Sequence, residues 1–473
     1  MKKFLIAVLV FTGLFLQAQE SADKLLDQLD QQTKDYSKIA LQLWDWAEMG
    51  YQEVKSSGLL QETLNKEGFK ITSGIADIPT AFMAEYGTEG PVIAILGEFD
   101  ALPGLSQKAI PTKESAGGVA GHACGHHLFG TASTAAAVAI KNWLKANRKK
   151  GRIRFYGCPA EEGGSGKVYM VRSGVFDDVD VALHWHPGAQ NAASAGAALA
   201  NKSAKFRFYG VSAHAAGAPE RGRSALDGVE AMNVMVNMMR EHIPQDARIH
   251  YVITDGGKAP NVVPDFAEVY YYARHGNRDV VVSIFDRMVK AAEGAALGTG
   301  TTMDYEMIGG THELLPNLTL QKLVHDKLSA VGGMTYSSEE KAFAQEISQS
   351  LGQEELKEEI ALAIQPYKTE ARAYGSTDVG DVSFVVPTVG FSTATWVPGT
   401  AAHSWQAVAA GGTSIGIKGM MIAAKTISLT ALELFNSPEI ITKAKNEFKE
   451  KRGNNFVYKP LLGNRPPALD YRN

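Results

Sequence analysis

Val92-Ile93-Ala94-Ile95-Leu96 is an unbroken apolar run that closes on Gly97-Glu98-Phe99-Asp100-Ala101-Leu102-Pro103-Gly104. A strand apolar on both sides belongs inside a sheet covered on both faces. Acidic groups at its C-terminal end fall where open α/β sheets carry their chemistry. The pattern recurs downstream. Strands expected at 152–157 and 179–185 end in Pro159-Ala160-Glu161-Glu162 and His184-Trp185-His186-Pro187. The Ala-rich run Thr131 to Leu144 reads as a helix whose small residues pack closely on a sheet. Upstream, Leu25, Leu26, Leu29, Ile39, Leu43 and Trp46 recur at helical spacing within 22–49, a second helix fits 56–66, and short strands fit 69–74 and 81–86. Alternating strand, loop and helix indicates an α/β fold.

From about Lys202 the pattern changes. Strand 205–210, helix 224–241, strands 248–253 and 265–273, helix 279–295 and strand 300–308 give a β-α-β-β-α-β order, the signature of an α+β split sandwich. This places an inserted domain at 202–314 between two catalytic segments, 19–201 and 315–445, with a C-terminal tail at 446–473. Met232, Met235, Met238 and Met239 within the insertion read as core or interface packing. Helices at 317–330 and 337–351, a loop-rich section at 370–410 and a helix from about Ile417 to Leu434 complete the second segment. The stretch from Lys449 to Pro467 reads as an exposed helix end followed by an extended tail.

A length of 473 residues leaves room for two or three domains. With 47 Lys and Arg against 51 Asp and Glu, the chain lacks the clustered positive charge of a nucleic-acid binder. Two cysteines, Cys124 and Cys158, exclude a disulfide scaffold and leave one bridge arithmetically open. Met1-Lys2-Lys3, an apolar run from Phe4 to Phe15 and Leu16-Gln17-Ala18-Gln19 form the three parts of a secretory signal peptide over 1–18. The mature chain is then expected to start near Gln19 and to work outside the cytoplasm, in a periplasm. The leader's apolar run is too short for a comfortable span, and no other stretch suggests stable membrane insertion.

His122, Cys124, His126 and His127 lie in one glycine-flanked segment, and a Cys-x-His pair suits zinc or a related transition metal. Glu161 and Glu162 are costly to bury together without a cation. One can bind metal while the other serves as a base. The 184–186 histidines and His403, in Ala401-Ala402-His403-Ser404-Trp405, bring the set to what a two-metal hydrolase needs. Asp100 would orient a ligand. His242, His250, His275 and His312 have no such context and read as surface or structural residues.

Together, Glu98 to Pro103, His122 to His126, Pro159 to Glu162 and Gly210 to His214 resemble the M20 family of metallopeptidases and amidohydrolases, in its cysteine-containing branch of aminoacylases and auxin-conjugate hydrolases. Gly375 to Ser383 and Pro398 to Gln406 carry the resemblance into the late loops. It implies a zinc-peptidase-like catalytic domain with a central mixed sheet and an inserted dimerisation or lid domain. It further implies two divalent ions, Zn or Mn, held by Cys124, His126, Glu162, His186 and His403, with His184 as the alternative to His186. Glu161 would be the general base, His214 would stabilise the oxyanion, and Asn261 and Arg274 would recognise a substrate carboxylate. His127 stands where the branch usually has aspartate. The implied reaction is hydrolysis of N-acyl or N-aroyl amino acids such as aminobenzoyl-glutamate. A dipeptidase or carboxypeptidase, or a metal-containing binding protein without turnover, are the alternatives. A homodimer is expected, with a hetero-subunit also open.

Overall fold

The Val92–Glu98 strand is buried along its whole length, inside a six-stranded sheet. In this computed structural model, which describes residues 2–194, 196–370 and 375–472 with side chains from residue 20 onward, the sheet order is Lys70–Ser73, Phe82–Tyr86, Arg152–Cys158, Val92–Glu98, Val181–Leu183 and Thr388–Val389. The first two strands run antiparallel to their neighbours, whereas the last four are mutually parallel. The sheet is therefore mixed, and strands ending at Glu98, Cys158 and Leu183 release their chains at one edge. The expected leader at 1–18 lies outside the described side chains.

The Ala-rich helix spans His126–Ala146, five residues longer at its start than its composition suggests. Gly125, left-handed at φ 74, caps it. The first turn therefore carries His126 and His127, both buried, and Ser133 ties the helix to the sheet by donating to the Leu96 carbonyl at 2.7 Å. A polar His-rich segment gives no apolar periodicity, so its helical state is not legible in the sequence.

Residues 200–311 form a separate four-stranded antiparallel sheet in the order Arg248–Asp255, Phe266–His275, Ala200–Tyr209, Thr302–Thr311. Helices Ala225–Met239 and Arg278–Thr299 pack on it around a core of their own. Met232 and Met239 are in that core, but Met235 and Met238 are exposed, so the methionine run divides between two faces.

Section 370–410 holds more structure than its loop-like composition suggests. Helices Val379–Ser383 and Trp405–Gly411 lie in or across it, and Ser392–Ala394 pairs in parallel with His186–Gly188. Such short elements leave no periodic trace and exist only through tertiary pairing. Helix Ser414–Asn436 is long and apolar enough to cross a membrane, although no span was expected there. It is 83% buried over its apolar window and serves as a core helix against the Ala-rich one.

The exposed, extended tail expected after 449 is a further correction. After helix Pro438–Arg452 the chain folds back over the protein, burying Leu461 and Leu462. Charge and proline mask two apolar anchors whose sites are formed by distant parts of the chain.

Candidate metal centre

Turn 160–164 follows the central Arg152–Cys158 strand, and Ala160 begins it in a left-handed conformation, φ 55. Three groups hold this turn from inside. The buried Glu53 carboxylate accepts the Ala160 N–H at 2.9 Å, Asp100 accepts the Glu162 N–H at 2.9 Å, and the Tyr51 hydroxyl donates to the Gly164 carbonyl at 2.7 Å. Asp100 also accepts from His126 Nδ1 at 2.8 Å. A single carboxylate thus fixes the ring of His126 and the backbone of Glu162 together.

Cys124 Sγ lies 3.4 Å from His186 Nε2, and His403 Nε2 lies 2.9 Å from Glu162 Oε1. Ligand atoms of Cys124, His126 and His186 fall within 4.8 Å of one another, as do those of Cys124, Glu162 and His403. Cys124 belongs to both groups, so the two sets of candidate ligands meet at its sulfur. The donor set fits divalent ions on a second count. Among the described residues, His126 Nε2, Glu98 Oε2 and Glu162 Oε1 are buried without a hydrogen-bond partner. Buried acceptors facing imidazoles and a thiol, close but not aligned for hydrogen bonding, are what a cation satisfies. His186 presents its Nε2 because Nδ1 donates to the Pro187 carbonyl at 2.7 Å.

His403 also sits in a left-handed conformation, φ 61, with its N–H donated to the Ala123 carbonyl, which brings the late loop onto the Cys124 segment. Gly125 permits the opposite wall to close, since a Cβ there would stand 2.6 Å from Pro187 Cβ. His184 faces the other way, half-buried against Gly390 and outside the cluster.

Burial and the carboxylates of Glu98, Glu162 and Asp378 push Glu161 well above the usual carboxylate range, which favours proton uptake. Burial also opposes the charge of Glu162, but the His403 ring against its carboxylate and the nearby His126 hold it below its ordinary value. Burial and His126 lower His186 to about 4, keeping its imidazole neutral. Burial pushes the Cys124 thiol up, so a thiolate there requires a cation.

Glu98, Lys167 and Asp378 extend the centre beyond the residues singled out from sequence. Lys167 Nζ lies 2.6 Å from Glu98 Oε1 and 2.7 Å from Asp378 Oδ1, all three fully buried. Glu98 Oε2 stands 3.1 Å from His126 Nε2, and Glu98, His126 and Glu161 form a third close group. Glu98 lies inside a motif in which only Asp100 has a role legible from sequence, and Lys167 has no signal beyond being one of two charges, with Arg172, in a short apolar helix. Glu53 carries none.

The structure does not bring His214, Asn261 and Arg274 to this cluster, and no hydrogen bond or ion pair joins them to it among the described residues. His214 is exposed, bridged to Val262, with Nδ1 accepting the Gly217 N–H at 3.0 Å. Asn261 is beside it, its carbonyl accepting the Ala215 N–H. Arg274 lies near the other end of strand Phe266–His275, opposite Asn201. At about 3.3 Å per residue the strand puts Arg274 roughly 26 Å from Phe266, the strand end that follows Asn261. Within one chain Asn261 and Arg274 do not grip one carboxylate together.

Residues 94–404 match the model of peptidase family M20/M25/M40. The chain belongs to this family. Over 93% of its length and 98% of the relative's, it is 41% identical to one of the subunits of the p-aminobenzoyl-glutamate hydrolase of Escherichia coli. It is 28% identical to the Xaa-Arg dipeptidase of Mus musculus, over 90% of this chain and 91% of that one. An aminobenzoyl-glutamate utilization protein from Klebsiella pneumoniae shares the fold, with a TM-score of 0.60 and 20% identity over 87% of this chain and 98% of that one. This M20 chain is a metal-dependent hydrolase with a mixed α/β fold.

Proposed function

We propose that this M20 protein cleaves the amide bond of N-acyl or N-aroyl amino acids, with p-aminobenzoyl-glutamate as the first substrate to try. The observation that carries the reading is the cluster of metal-ligand side chains that meets at Cys124, with the half-buried Glu161 beside it. Cys124, His126, Glu162, His186 and His403 would hold two divalent ions, zinc or manganese. Bound, such ions supply polarisation of the scissile carbonyl and a lowered pKa for water. Glu161, raised by burial, takes a proton from the attacking water and hands it to the leaving nitrogen. Asp100 keeps His126 and Glu162 in register through this cycle. His214 offsets charge on the carbonyl oxygen once substrate draws the four-stranded unit inward or a second copy presents it.

Two copies also give Asn261 and Arg274 separate places around one substrate. Strand Arg248–Asp255 is an open sheet edge carrying the exposed Tyr251, Val252 and Ile253, which supports pairing with a second chain. Since the 41% identical relative is one subunit of a hydrolase, a hetero-subunit is the other arrangement to test. The N-terminal pattern supports export to a periplasm, which fractionation and N-terminal sequencing of the mature protein would check.

The deciding experiment loads the purified protein with zinc or manganese and follows glutamate release from p-aminobenzoyl-glutamate, with acetylated amino acids and Xaa-Arg dipeptides in parallel. Glu161→Gln should keep its metal and lose turnover by at least about a hundredfold. Unchanged turnover in that variant would remove Glu161 as the base. Release from dipeptides alone would move the protein to the dipeptidase reading.

A further inference from the structure

Residues 453–472 make contacts that neither the family's ligand set nor the proposed reaction uses. Beyond helix Pro438–Arg452 the chain first touches the junction between the two sheets. The Tyr458 hydroxyl donates to Asp381 at 2.7 Å, and the buried His312 ring donates to the Lys459 carbonyl at 3.0 Å. Leu462 then enters the core cluster that also holds Tyr51 and Cys158. Arg465 donates to the carbonyls of Met307 and Ile308, the latter at 2.9 Å, where the register of strand Thr302–Thr311 shifts between Met307 and Gly309. Arg172 grips the segment from the catalytic side through the Gly463 and Arg465 carbonyls.

The segment ends on the metal-site turn. The Tyr471 hydroxyl and Arg472 Nη2 both donate to the Glu162 carbonyl, at 3.0 and 2.6 Å. Tyr471 meets Tyr51 edge to face at 5.5 Å, and the Arg472 guanidinium stacks on the Tyr471 ring at 4.8 Å. Glu162 is thereby held at both backbone groups: its N–H by Asp100 from inside, its carbonyl by Tyr471 and Arg472 from outside. With one carbonyl accepting two side-chain donors, one of them charged, the peptide plane has little freedom to rotate.

We propose that the C-terminal segment 453–472 is a strap in which Tyr471 and Arg472 are positioning residues for Glu162, while Arg465 ties the same strap to the four-stranded unit. This rests on the reading of Glu162 as a metal ligand. The strap fixes the turn so that the Glu162 carboxylate faces Cys124 and His403, and it makes the metal site sensitive to where the four-stranded unit sits.

The test measures release of metal from the loaded full-length protein into a chromogenic chelator, with Glu162→Gln as reference. The double variant Tyr471→Phe/Arg472→Ala should release metal about tenfold faster. Its metal-free form should melt at the wild-type temperature, and Arg472→Lys, which keeps a donor, should lie close to wild type. Wild-type release from the double variant, with Glu162→Gln accelerated, would overturn the strap while leaving the ligand reading intact. Wild-type release from Glu162→Gln would overturn the ligand reading, and the strap with it. Should the double variant fail to fold, Arg465→Ala decides the matter, because it touches no part of the site. Faster release supports the strap, and unchanged release refutes it.

Discussion

Removing the Lys167 ammonium would leave Glu98 and Asp378 close together inside the protein with no cation between them. Lys167→Met is therefore expected to cost about 3–5 kcal/mol, the range for breaking one side of a buried ion pair. Denaturant unfolding of the metal-free protein would measure it, and a loss under about 1 kcal/mol would show that the two carboxylates stay protonated instead. His122 and His184 make a pH prediction. Burial first, then the neighbouring His126 and His186, hold each at about 3 in the folded protein, against an ordinary value of 6.5. A lowered histidine contributes stability that is present above pH 6.5 and lost as pH falls toward 3. Each adds a slope of up to about 1.4 kcal/mol per pH unit across that window. His184→Gln should flatten the fall of unfolding free energy between pH 6.5 and 5, and an unaltered slope would count against a neutral His184 in the folded protein. At this scale, chemistry is legible where it comes in clusters. Cys124 and His126, or Glu161 and Glu162, stand out because few structural roles demand such neighbours. Glu53, Glu98 and Lys167 stand alone in the chain, and only folding supplies their partners.

The Ala-rich helix begins where a left-handed glycine lets it begin, and two of the site-segment histidines lie on its first turn. Gly125→Ala should cost about 1–2 kcal/mol for the left-handed backbone alone. The added methyl also pushes on Pro187 and therefore on His186. Metal affinity should fall together with stability in this variant, and titration with zinc would show both. An unchanged affinity would mean that the Cys124 and His186 walls move independently. Element types are readable wherever burial imposes a period, as in Val92–Glu98 and the strands of the four-stranded sheet. They are unreadable where an element exists by pairing with something remote. The two-residue Thr388–Val389 strand, the Ser392–Ala394 pair with His186–Gly188 and the folded-back tail are of that kind.

For the whole molecule, the open strand Arg248–Asp255 leads to an oligomer prediction. Val252→Lys places a charge on an exposed apolar edge without touching the core, so it should convert a dimer to a monomer in sedimentation and leave the monomer's stability within about 0.5 kcal/mol. A wild-type protein that sediments as a monomer would remove the pairing altogether. The sequence by itself determined the alternation of strand and helix, the split sandwich in the middle and the residue types of a two-metal hydrolase, because burial and metal chemistry each restrict the local choice of residues. Tertiary structure alone decided that His186 rather than His184 faces Cys124, that Arg274 lies near the end of its strand remote from Asn261, and that the tail rests against Glu162. Those three facts depend on the direction of a side chain or on contacts between distant parts of the chain, and such geometry is set by how the packed elements meet.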